Sequence, residues 1–136
     1  TKHFLSLVGE HLSVDNMNKA LQIAAEQMDL PISEFTVTGE PHGNFFAHRW
    51  FVACDQPLDK EQLIRNIDHQ LKILNDDYAV ERKSALKDVF IEVLPEEIFL
   101  KFLEMRGKIG GQHKFPRVLK GGLLEAWKNF LSERGY

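Results

Sequence analysis

The chain has one cysteine in 136 residues, and that scarcity excludes a disulfide framework. Cys54 closes the apolar run Trp50 to Cys54, so it reads as a reduced, buried thiol rather than a nucleophile. No apolar run approaches the roughly 20 residues needed to cross a bilayer, and no basic segment leads into an apolar signal stretch. The expectation is a cytoplasmic domain with no membrane partner. Charge of one sign is also lacking: 17 Lys and Arg against 20 Asp and Glu leave a formal net charge of −3, so no overall basic field draws nucleic acid. The exposed aromatic pair in a basic, Gly-rich strand that RNA-reading sheets use is absent too. No GxxxxGK[ST] motif or Ser/Thr/Gly-rich phosphate loop is present, so nucleotide binding would have to come from elsewhere. His42 and His48 flank a turn without a third ligand at metal-binding spacing, and no metal is expected.

What is present supports one domain. At 15.7 kDa and 43% hydrophobic residues, the chain can bury its own core. It begins at Thr1, without methionine, and enters the strand-like Phe4 to Val8 at once, which suggests a piece of something longer. Ser13 as N-cap, Leu12 and Met17 as a staple, and Met17, Ala20, Leu21, Ala24 and Met28 at spacings of three and four predict a helix that ends before Pro31. Phe35 to Gly39 and Phe45 to Cys54 read as a hairpin around the turn-forming residues Glu40 to Asn44. Asp59 as N-cap, with Gln62 completing a capping box and Leu58 and Leu63 as staple, starts a second helix along Leu63, Ile67, Leu71 and Leu74. Asp76 and Asp77 are expected to close it, and Glu81-Arg82-Lys83 to form a solvated turn. Tyr78 and Arg82 share a helical face at i, i+4, suited to packing and hydrogen-bond contacts or to a domain interface.

Asp88 to Leu94 reads as a strand, and Pro95, with Glu96 and Glu97 in the first turn, opens a helix that Gly107 ends. Leu123, Leu124, Trp127, Phe130 and Leu131 form the stripe of a terminal helix over 122–134. The order strand, helix, hairpin, helix, strand is that of an α+β, ferredoxin-like βαββαβ two-layer sandwich, extended by a helix, a Gly-rich loop and the C-terminal helix. In Phe45 to Cys54 both faces are apolar, so the second sheet face needs a cover: the terminal helix, a partner chain or a larger domain.

Between the last two helices lies Gly110-Gly111-Gln112-His113-Lys114-Phe115-Pro116-Arg117. The paired glycines allow close approach, Pro116 fixes φ, and Lys114 and Arg117 place an ammonium and a guanidinium on a constrained turn. Such cations suit a phosphate or carboxylate whose charge grows during a reaction. A surface β-turn carrying two solvated cations is the alternative.

This stretch, following Phe99 to Lys108 and preceded by Leu74-Asn75-Asp76-Asp77-Tyr78 to Arg82, resembles the C-terminal domain of the auxin-responsive acyl-acid amido synthetase family. Val8-Gly9-Glu10-His11-Leu12-Ser13 resembles the segment after that family's interdomain hinge, and the likeness runs from about Leu5 to Arg117. The resemblance implies that 1–136 is the small C-terminal domain of an acyl-adenylate-forming ligase. In such enzymes ATP and Mg²⁺ activate a carboxylic acid, whose acyl group then passes to an amino acid. It also implies a large N-terminal adenylation domain that holds the nucleotide and acyl acid, and a C-terminal domain that swings over it and is silent alone. Lys114 carries over as the catalytic lysine. Gly110 and Gly111 would give close approach, Gln112 would anchor the loop, Arg117 would orient it or help bind phosphate, and Tyr78 and Arg82 are interface candidates. The other expectation, from topology alone, is a standalone noncatalytic ferredoxin-like module for ligand binding or assembly.

Overall fold

In a computed structural model, which describes residues 12–107 and 114–136, the polar ends of each helix explain where it starts and stops. Helix α1 (Val14–Gln27) begins at Ser13, whose hydroxyl accepts the Asn16 N–H at 3.1 Å. Strands β1 (Glu34–His42) and β2 (Phe45–Ala53) follow as an antiparallel hairpin, turned at Gly43 with φ +64°. Asp59 accepts the Gln62 N–H at 3.1 Å to start helix α2 (Lys60–Leu74). The Gln62 side chain does not complete a capping box: it donates to Asn66 at 2.7 Å and accepts from Arg65.

Asn75 ends α2 and caps the next helix, α3 (Asp76–Lys83), by accepting the Tyr78 N–H at 2.8 Å. Asp76 and Asp77 therefore open a helix, where its dipole favours anions, instead of closing one, and Glu81-Arg82-Lys83 is its last turn rather than a loop. Strand β3 (Leu86–Leu94), helix α4 (Glu96–Met105) and helix α5 (Gly121–Glu133) complete the described elements. Gly107, at φ +76°, ends α4 as the sequence suggests.

The α+β class holds, and the expected strand Phe4 to Val8 lies outside the described residues. The sheet is β1-β2-β3, with β2 and β3 paired directly and in parallel. A ferredoxin-like sheet splits that pair with its first strand. Here α2 and α3 form one crossover between adjacent parallel strands, so the ferredoxin-like order is corrected to a direct β2-α2-α3-β3 connection.

Two cores make this a three-layer arrangement rather than a two-layer one. Phe46, Trp50 and Val52 face one side, with Met17, Leu21, Leu63, Ile67 and Leu71 of α1 and α2. Phe51 and Ala53 face the other, with Ile98, Phe99 and Phe102 of α4 and Trp127, Phe130 and Leu131 of α5. The doubly apolar strand β2 is the reason: alternating side chains project to opposite faces, so each face needs its own cover. The terminal helix supplies part of that cover, as one of the sequence alternatives held.

One buried residue links this packing to pH. His48, on β2, is fully buried without a hydrogen-bond partner on either ring nitrogen. Burial first, and the nearby Arg82 charge second, push its pKa from 6.5 down to about 3. The folded state thus holds the neutral ring, while the unfolded chain takes up a proton below about pH 6.5. Stability is therefore retained above that pH and falls by about 1.4 kcal/mol per pH unit as pH drops from there toward 3. Urea unfolding at pH 7, 6 and 5 tests this. The wild type should lose stability over that range more steeply than His48→Phe, and equal slopes would contradict it.

Candidate functional site

Segment 114–119 runs along the open edge of β1. Val37 donates to the Arg117 carbonyl at 2.8 Å, and Leu119 donates back to the Val37 carbonyl at 3.0 Å, forming a parallel bridge between Val37 and Val118. Those bonds satisfy edge groups that would otherwise face water or a foreign strand. Side chains of this segment then go separate ways. Phe115 is buried among Phe99, Phe102 and Trp127, with ring centroids 5.0, 5.7 and 5.0 Å away. Lys114 is exposed.

Arg117 turns toward β1 and α1. Its Nη1 bonds Glu34 and donates to the Phe35 carbonyl at 2.9 Å, its Nε donates to Asn18 at 3.2 Å, and its guanidinium lies 4.3 Å from the Phe35 ring centre. The side chains of Arg117 and Glu34 are about four-fifths covered, which makes the pair a structural clamp with its charge balanced locally. Gly110, Gly111 and Gln112 lie outside the described residues.

Tyr78 and Arg82 come together on Asp68 of α2. The Tyr78 hydroxyl donates to Asp68 at 2.6 Å, and Arg82 donates to the same oxygen at 2.9 Å and to the Leu86 carbonyl at 2.7 Å. Lys72 adds a contact to Asp68 at 3.3 Å. Burial first, then the Asp68 charge and hydrogen bond, raise the Tyr78 pKa well above its usual value, so its hydroxyl stays a donor. Tyr78 is wholly enclosed by its own domain, so the packing and hydrogen-bond contacts are the ones seen. Asp68 had no motif to mark it.

Other ion pairs join residues of the three strands. Arg49 is gripped by both oxygens of Glu40, at 2.8 and 3.0 Å, and by Glu92, and lies over Phe90. The Glu40 hydrogen bonds are the main reason its pKa is raised above the usual guanidinium value, against the opposing effect of burial. His42 contacts Asp88 at 3.6 Å on the surface, far from the setting of buried His48. Among the described residues no group of three or more His, Cys, Asp or Glu is placed to hold a metal ion. None of the described helices is long and apolar enough to cross a membrane.

Lys114 is exposed and shares in none of the ion pairs among the described residues, and the same holds for Lys120 six residues on. The described cavities, of about 280, 470 and 500 Å³, do not include Lys114.

The sequence pattern of the GH3 family C-terminal domain matches residues 15–122. Among curated proteins none matches this sequence. Two solved structures are similar in fold. One is AtGH3.15 acyl acid amido synthetase in complex with 2,4-DB, with a TM-score of 0.67 and 17% identity over 87% of this chain and 23% of that one. The other is GH3.15 acyl acid amido synthetase, with a TM-score of 0.69, 17% identity and the same coverage. This chain therefore spans about a quarter of the length of those proteins.

Proposed function

Since this chain belongs to the GH3 family, matching its C-terminal domain, we propose that it is the mobile small domain of an ATP-dependent acyl-acid amido synthetase-like ligase, to which it brings Lys114. The observation that carries this reading is Lys114, exposed and outside the ion pairs among the described residues, beside Phe115 and Arg117, which are held by the core and by Glu34. In the reaction a carboxylate oxygen attacks the α-phosphorus of ATP and pyrophosphate leaves. An amino-acid nitrogen then attacks the acyl carbon and AMP leaves. A lysine point charge between the carboxylate oxygen and the α-phosphate would favour the first step, because negative charge is redistributed there in the transition state.

Among the described residues no group of three or more His, Cys, Asp or Glu is placed to hold a metal ion. In this reading the large N-terminal domain of the same chain binds ATP, Mg²⁺ and the acyl acid, and sets which acid and amine are used. The cytoplasm is the proposed setting.

The test is pyrophosphate exchange into ATP by the full-length protein against a panel of carboxylic acids, followed by a screen of amino acids for amide products. Acid-dependent exchange is expected from the full-length protein and none from 1–136 alone. A full-length protein that exchanges no pyrophosphate with any acid, yet binds a small ligand through this domain, would replace the ligase with a binding module.

A further inference from the structure

Lys114 projects from the surface, but its backbone is confined from the residues that follow it. The Phe115 ring sits in an aromatic box of Phe99, Phe102 and Trp127, and the residue is 2% exposed. One peptide unit joins it to Lys114, so the lysine Cα lies about 3.8 Å from a Cα that the core holds. Pro116 removes another backbone freedom. Arg117 then closes the stretch through Glu34, the Phe35 carbonyl and Asn18, and its own carbonyl is bonded to Val37.

The tethers come from different layers. The Phe115 box is built from α4 and α5, whereas the Arg117 clamp is built from α1 and β1. A segment held from both sides of the sheet edge cannot slide or rotate as a free loop would. Glu34 is the charged member that matters most, because without it the partly buried guanidinium loses its counterion while its other partners are neutral.

We infer that Phe115 and the Glu34–Arg117 pair are positioning residues that set where Lys114 stands during adenylation. The inference rests on the role assigned to Lys114 above. Neither Phe115 nor Glu34 touches the reacting atoms. Their effect passes through the placement of the ammonium, and a misplacement on the order of 1 Å can cost as much as 100-fold in rate.

The experiment uses the full-length protein with ATP and an acid it accepts, and follows pyrophosphate exchange. Phe115→Ala and Glu34→Gln should each lower kcat by on the order of 10- to 100-fold, with KM for ATP and for the acid changed less than about twofold. Phe115→Leu, which keeps an apolar side chain in the box, should recover most of that loss. In a Lys114→Ala background the same two substitutions should cost less than about twofold, because the group they position is gone.

Equal losses in the two backgrounds, or a loss carried by KM, would overturn the inference and leave these residues structural. So would unchanged kcat in both single variants. If Lys114→Ala itself leaves exchange intact, the assignment of the lysine fails first and takes this inference with it.

Discussion

Lys114→Ala in the full-length protein is expected to lower pyrophosphate exchange by about 100- to 1,000-fold while the protein still folds. The size follows from the kind of interaction lost. A preorganised charge that meets a developing anion contributes about 3 to 4 kcal/mol when its site is closed to water, far more than a surface ion pair. Folding should survive because Lys114 is exposed and supports none of the packing around it. Lys114→Arg should restore little, since a planar fork does not reproduce a compact ammonium. Steady-state kinetics should show the loss in kcat and kcat/KM together, the mark of an interaction made in the transition state. A variant with exchange within about twofold of wild type would remove the lysine from the reaction.

Trp127→Ala is expected to destabilise this domain by about 3 to 5 kcal/mol. Trp127 is fully buried at the centre of the second core, with Phe51, Phe99, Phe102, Phe115 and Phe130 around it at ring distances of 5.7, 5.2, 5.0, 5.0 and 6.1 Å. Alanine removes the common neighbour of side chains from β2, α4, α5 and the Lys114 segment, and a cavity that spans several elements cannot collapse cheaply. The loss is a large share of the roughly 5 to 15 kcal/mol available to a domain. Urea unfolding of the 136-residue chain would measure it. Trp127→Phe should cost much less, because the indole N–H has no acceptor in the structure and phenylalanine sheds that unpaired donor along with the extra ring. A Trp127→Ala loss below about 1 kcal/mol would mean that the second core does not depend on this residue.

Helix starts at Ser13 and Asp59, the hairpin, the strand before Pro95 and the glycine stop at Gly107 were legible in the chain, because caps, alternation and turn chemistry act over a few residues. The two apolar faces of β2 also said in advance that the sheet would be covered twice. The family likeness was readable for a similar reason, in a run of consecutive residues around Lys114.

Tertiary structure alone decided the rest. That β2 pairs directly with β3, instead of lying apart from it, depends on which strand edges meet after collapse, and no local spacing records that. The break at Asn75 was hidden because one side chain serves two helices, and only its fold neighbours show both roles. Glu34 and Asn18 hold Arg117 from 83 and 99 residues away, and Asp68 gathers Tyr78 and Arg82 from 10 and 14. Local rules describe what a residue does to its own backbone. Counterions and core partners are chosen by packing in three dimensions, so the chain announced a lysine, and the fold determined what keeps it in place.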